Sequence, residues 1–255
     1  MGIAVMTVAL LLCLLFYMYF NAQNDYLDVK EWEDQTFTSE HPLRIFFISD
    51  VHNRVINEKT LAKVGEVDLI IVGGDLVDQR TRLDKIKFNL KSLKQLNGDI
   101  FFIPGNNDHE LVDHDLLGVL SQEGIGVLSN EDYVFFHHDT PIVLSGIDPY
   151  FMKPRRTLSA VDDFKDYQIL CIHDPFVYRN MNKEDQKNFN LILSGHTHGG
   201  QIRLFGFGPY QRGGWVRKGN RSELVSEGYG TSLLPLRLGT KAECHKITIH
   251  SSNVV

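Results

Sequence analysis

From Arg44 onward, short and wholly apolar runs end abruptly in polar clusters, and this repetition limits the fold more than any other feature. Ile45-Phe46-Phe47-Ile48 runs into Ser49-Asp50-Val51-His52. Leu69-Ile70-Ile71-Val72 runs into Gly73-Gly74-Asp75, and Ile100-Phe101-Phe102-Ile103 into Pro104-Gly105-Asn106. Runs this short and this uniformly apolar, closed by turn residues, read as strands covered on both faces. Between them, residues 60–67 and 83–96 read as helices, the second with Ile86, Phe88, Leu90, Leu93 and Leu96 at helical spacing. Strand–helix alternation of this kind predicts an α/β fold with a largely parallel sheet. After Gly124 the strands follow more closely, at 134–136, 142–144, 168–172, 191–193 and 246–249, which predicts a second sheet packed on the first.

The first segment belongs to another solvent. Ile3 to Phe20 carries no charge, and 18 residues of helix span about 27 Å against a hydrocarbon core of about 30 Å. Tyr17 and Tyr19 lie at its end, where amphipathic rings favour the interface. No Lys or Arg precedes Lys30 and no A-x-A site follows, so a cleaved signal peptide fits poorly. Residues 1–22 are therefore expected to form a single-pass anchor in the cell membrane. The positive-inside rule has nothing to count, so the side carrying the rest is open. Residues 23–43, polar and acidic, are expected to be a tether, and 44–255 the globular domain. A net charge of -6 argues against nucleic acid as a partner. Cys13, Cys171 and Cys244 form no CxxC pair and read as buried small hydrophobes.

Every polar cluster of interest falls where a strand runs out, the edge at which open α/β sheets bind ligands. Asp50 and His52 follow the first strand, Asp75 the second and Asn106 the third. His173 follows 168–172, and His196 and His198 follow 191–193. In extended chain, residues two apart point the same way, so Asp-x-His and His-x-His each offer two donors to one centre. Mixed imidazole and oxygen donors suit manganese, iron or zinc better than calcium. Seven donors exceed one tetrahedral site and suit two divalent cations sharing a carboxylate, about 3.5–4 Å apart, an arrangement used on phosphoesters.

Taken in order, Ser49-Asp50-Val51-His52, Gly73-Gly74-Asp75, Gly105-Asn106, His173 and Gly195-His196-Thr197-His198 resemble the motifs of the calcineurin-like metallophosphoesterases. Gly195 to Leu204 further resembles a membrane-associated bacterial subgroup, some of whose members cleave lipid-linked nucleotide sugars or other phosphodiesters. The resemblance implies a four-layer α/β/β/α sandwich. It implies that Asp50, His52 and His198 hold one metal, that Asn106, His173 and His196 hold the other, and that Asp75 bridges them. The reaction implied is hydrolysis of a phosphodiester or pyrophosphate by a water that the two metals activate, on a phosphate-containing, possibly lipid-linked substrate. The oligomeric state is left open.

One position departs from the pattern. The family continues Gly-Asn-His, with a histidine that contacts phosphate; here the residue is Asn107, which cannot be an acid. General-acid help is worth roughly 10²–10⁴-fold, mostly to poor leaving groups. The departure therefore points to a pyrophosphate or an activated diester. His109 is the neighbour that would substitute; Asp108, which the resemblance implies would orient the family's histidine, is retained, and reads otherwise as a cap for a helix near Glu110. It also leaves a second reading, a metal- or lipid-binding membrane protein on a weakened phosphoesterase scaffold. His137-His138 read as a solvated turn, Arg155-Arg156 as a phosphate-binding or surface loop, and Phe205 to Arg221 as an aromatic, basic loop suited to an anionic bilayer.

Overall fold

The computed structural model describes residues 1–111, 113–148 and 167–252; the Arg155-Arg156 pair lies outside them. Two six-stranded sheets pack face to face. In the first, β1 (Asp25–Asp34) lies beside β12 (Ala242–Ser251), followed by β2 (Leu43–Ile48), β3 (Leu69–Val72), β4 (Asp99–Phe102) and β5 (Gly126–Val127). The order in the second is β10 (Gly214–Lys218), β11 (Arg221–Val225), β9 (Leu191–Ser194), β8 (Tyr167–Ile172), β7 (Thr140–Ile147), β6 (Glu131–His137). β2 through β5 are mutually parallel, as are β11, β9, β8 and β7.

Strand alternation sends each apolar run to two cores, which is why no polar residue interrupts it. Ile45, Phe47 and Ile71 face the second sheet, meeting Leu144, Ile169, Cys171 and Leu193. Phe46, Ile48, Ile70 and Val72 face outward under α3 (Leu83–Lys94) and α4 (Leu116–Gln122). On the far side Leu170, Ile172 and Ile192 pack under α5 (Pro175–Arg179). The four layers are thus α/β/β/α. In α3, Ile86, Leu90 and Leu93 are buried, whereas Phe88 of the same apolar set is exposed. α2 (Glu58–Leu61) is shorter than its sequence suggests; Asn57 caps its start, and the chain turns left-handed at Gly65 soon after its end.

Three expectations need correcting. The supposed tether is β1, ten residues paired in parallel with β12 from Asp25↔Ala242 to Asp34↔Ser251. Its acidic residues read as solvating, but each key carboxylate has a partner: Asp25 takes Arg54, Thr60 and Tyr229, and Asp28 takes Trp215 and His245. Asp34 takes Thr36 and Tyr167. The C-terminal strand joins the first sheet rather than the second, because β1 and β2 flank it there. His137 is buried against Phe37, and only His138 of that pair is exposed.

α1 (Gly2–Gln23) projects from the domain with only Met18 and Ala22 buried. Among the described residues it is the one helix long and apolar enough to cross a membrane. Cys13 is accordingly exposed, while Cys171 and Cys244 are buried.

Candidate active site

The carboxyl ends of β2, β3 and β4 in one sheet meet those of β8 and β9 in the other; six of the seven expected donors gather there, and Asn106 follows β4 at the same edge. Asp50, His52 and His198 place one ligand atom each within 4.8 Å of one another, and Asp75, His173 and His196 do the same. His52 Nε2 lies 3.0 Å from His198 Nε2, which lies 3.4 Å from Asp50 Oδ1. His173 Nε2 lies 3.2 Å from Asp75 Oδ2 and 4.0 Å from Asp50 Oδ1, joining the two groups. Asp75 Oδ2 is also 3.9 Å from His52 Nε2, so this carboxylate touches both groups.

The pairs do not arise from extended chain, as their spacing suggests. Asp50, His52, Asp75, His196 and His198 all lie in the left-handed region, with φ between 48° and 70°. Such a backbone costs a non-glycine residue roughly 1–2 kcal/mol. It persists because the loops are stitched together. Asp50 N–H donates to the Gly74 carbonyl (2.9 Å), His52 N–H to that of Asp75 (3.0 Å), and Gly195 N–H to that of His173 (2.9 Å). Across the sheets, His196 N–H donates to Asp50 Oδ1 at 3.0 Å, and within the first sheet Asn107 N–H donates to Asp75 Oδ1 at 2.7 Å. Glycine is required where these loops touch: a Cβ on Gly195 would collide with Asp50 Oδ2, and one on Gly74 (φ 85°) with the His173 ring.

Two divalent cations fit this donor set. His173 Nδ1 lies 2.9 Å from the Gly73 carbonyl, which holds a proton there and leaves Nε2 as a lone pair facing Asp75. Without a cation, burial opposes charging His173, but the Asp75 carboxylate prevails and pushes it up to about 10. Burial likewise works against the Asp75 charge, and His173 and then His52 hold it below the usual carboxylate range. Burial and then the Arg237 charge push His198 well below the ordinary histidine value, leaving a neutral imidazole able to ligate. The Asn106 Oδ1 oxygen is buried with no hydrogen-bond partner, while its Nδ2 donates to Asn107 Oδ1 at 3.0 Å. A carbonyl oxygen oriented this way, and buried unpaired, is a cation ligand in waiting.

Asn107 therefore orients Asn106, and its own amide donates to Glu110 Oε1 at 2.6 Å. Asp108 caps no helix; it lies inside the short 3₁₀ turn Asn107–Glu110, which Asn106 precedes. It is buried, and accepts from the backbone N–H groups of Gly105, Asp75 and Val77, tying the third metal loop to the second. His109 is exposed and lines a hollow of about 170 Å³ with His114, Leu111 and Leu116, toward α4. Two supports of the site lie outside the strand-end pattern. Asp78 Oδ2 lies 3.8 Å from His52 Nδ1. Arg237 is fully buried and donates to the carbonyls of Glu227, Gly228 and Gly230, with Nη2 3.3 Å from His198 Nδ1. Asp78 stands three residues after Asp75, where local spacing carries a signal; Arg237 stands 39 residues past His198, where it carries none.

A two-sheet sandwich whose strand ends converge on two groups of histidines and carboxylates presents a candidate metal centre. The chain belongs to the calcineurin-like phosphoesterase family, whose sequence model matches residues 43–200. It is 36% identical over 236 residues to the uncharacterized protein YpbG of Bacillus subtilis (strain 168), covering 91% of this chain and 90% of that one. It is 26% identical over 233 residues to a Danio rerio transmembrane protein with metallophosphoesterase domain, covering 81% of this chain and 53% of that protein. Among solved structures, the phosphopantetheinyl hydrolase PptH of Mycobacterium tuberculosis aligns at 13% identity and a TM-score of 0.45, over 73% of this chain and 89% of that one.

Proposed function

We propose that the protein is a single-pass membrane enzyme that hydrolyses a phosphodiester or pyrophosphate bond at a dinuclear centre. The observation that carries this reading is the gathering of Asp50, His52 and His198 in one group and Asp75, His173 and His196 in another, with Asp75 reaching both. Asn106 completes the second group with its unpaired oxygen. Bound there, two divalent cations would supply an activated water and positive charge for the phosphoryl oxygens.

The chain's own residues do the rest. Asp75 is held ionised by His173 and His52, and Asn107 N–H fixes its Oδ1, so Oδ2 is the atom presented to both groups. His196, Asn106 and Asn107 are half-buried, whereas the other donors are buried, so a phosphate would approach from their side. Asn107 offers no proton acid, and His109 faces another hollow, so the leaving oxygen departs without help from this loop. That restricts efficient turnover to leaving groups that bear negative charge well, such as phosphates and phenolates.

Full-length protein in detergent, stripped of metal and reloaded with manganese, zinc or iron, tests the reading against aryl diester, aryl monoester and pyrophosphate substrates. Metal-dependent turnover lost in Asp75→Asn is the expected outcome. Binding of fewer than two metals per chain would sink it.

A further inference from the structure

The two loops that border the metal centre carry the three most exposed large apolar side chains among the described residues of the globular domain, Phe205, Phe207 and Leu233. Phe205 is 100% exposed, Phe207 81%, Leu233 79%, and Leu204 and Leu234 59% each. These residues form one surface, because the loops are bonded together: Gln201 Nε2 donates to the carbonyls of Ser232 and Leu234, and Ser232 N–H donates back to Gln201 Oε1. A bridge between Ile202 and Leu238 closes the base. Gln201 is three residues beyond His198, and Tyr210 at the far end of the first loop lies 6.3 Å from the His196 ring.

The same surface abuts the end of α1. Arg237 N–H donates to the Met18 carbonyl (3.0 Å), and Asn21 Nδ2 donates to the carbonyls of Arg237 and Thr240. Arg54 adds a bond to the Gln23 carbonyl. Met18 stands two residues, about 3 Å along the axis, inside the end of the apolar run at Phe20. Only Asn24 separates α1 from β1, so no tether lets the domain drift away. The 231–238 loop therefore lies beside the last turn of α1, and the 203–210 loop follows Gln201, which is bonded to it in turn.

We propose that loops 203–210 and 231–238 insert their apolar tips into the bilayer surface beside α1. The metal centre then opens at headgroup level and takes phosphoesters carried by membrane amphiphiles. The proposal rests on α1 spanning the bilayer, and it commits to lipid, rather than a protein partner, as what covers these side chains. Apolar tips joined to a spanning helix match the apolar layer that lies just beneath a bilayer's headgroups, and Arg203 holds the first loop closed by donating to the carbonyls of Gly199, Gly206 and Tyr210.

The test uses the full chain in proteoliposomes containing phosphatidylcholine brominated near the top of the acyl chains. Phe205→Trp and, separately, Leu233→Trp report depth by quenching relative to the parent, whose Trp32 and Trp215 set the background. Phe136→Trp, on the far edge of the second sheet, is the comparator. Tryptophan at 205 and 233 should lose most of its emission while that at 136 loses little. Equal quenching at all three positions, in protein that resists carbonate extraction, overturns the loop proposal and leaves the anchor standing. Quenching at 205 and 233 in protein that carbonate releases supports the loop contact and removes the anchor. Carbonate release without quenching overturns both.

Discussion

Replacing Asp108 by asparagine tests what holds the metal loops in register. The buried carboxylate accepts from Gly105 N–H (2.7 Å) and Asp75 N–H (2.8 Å) on Oδ2, and from Val77 N–H (3.1 Å) on Oδ1. An asparagine oxygen at the Oδ2 position keeps the first two bonds. Its NH₂ then faces the Val77 N–H, donor against donor. One charge-assisted bond is lost and one buried N–H stranded, together about 2–4 kcal/mol. At a urea dependence of roughly 2–3 kcal/mol/M, the unfolding midpoint of the metal-loaded protein at pH 7, where positive charge beside Asp75 lets Asp108 ionise, should fall by about 1 M.

The opposing force is also visible. In the metal-free chain, burial and then the Asp75 charge push Asp108 up to about 8. A carboxyl raised above its unfolded value of 3.8 keeps its proton in the folded state alone, so stability declines as pH rises from about 4 to 8. Metal loading places positive charge beside Asp75 and should flatten that decline, which urea titrations of apo and loaded protein between pH 5 and 8 would measure. A midpoint for Asp108→Asn within about 0.2 M of the parent, in metal-loaded protein, would refute the three-acceptor carboxylate.

Asp28→Asn removes the partner of Trp215 Nε1 (2.9 Å) and His245 Nδ1 (3.3 Å). The His245 bond holds Asp28 low, while Asp28 and Glu243 hold His245 high against its burial. The histidine contribution is complete below about 6.5 and fades as pH rises through its raised value; the carboxylate contributions are complete above about 4.5 and fade as pH falls. The loss in Tm should therefore be largest between these values, and an equal loss from pH 5 to 9 would exclude charge pairing. Beginning the soluble chain at Arg44 removes β1 and the fully buried Phe37, whose loss alone is worth about 3–5 kcal/mol, so it should aggregate where a chain beginning at Asn24 stays soluble. Comparable melting of the two by circular dichroism would show β1 to be dispensable. Asn107→His should raise kcat on alkyl phosphodiesters by roughly 10-fold or more, with little change on aryl diesters. A uniform change across both leaving groups would count against the missing-acid account.

Apolar runs at Ile45–Ile48 and Leu69–Val72 were legible because a strand covered on both faces tolerates no polar residue, and sequence alone records that. The donors were legible because they stand at strand ends with fixed spacing: Asp50 with His52, and His196 with His198. The 18-residue apolar run at Ile3–Phe20 was equally plain. What tertiary structure decided was every partner far along the chain. The acidic stretch 25–34 looked like a solvated tether because its partners, Arg54, Tyr229, Trp215 and His245, are supplied by distant elements. Local composition registers the charge and not the pairing. Asp108 looked like a helix cap because its three N–H donors lie in two loops that meet only when β3 and β4 align. The left-handed backbone at Asp50, His52, His196 and His198 is invisible in residue types that usually avoid it, and only the stitched loops make it stable. Sequence thus determined which chemical groups are present and at which strand ends. Packing decided how they are aimed, because orientation depends on contacts between residues that the chain keeps far apart.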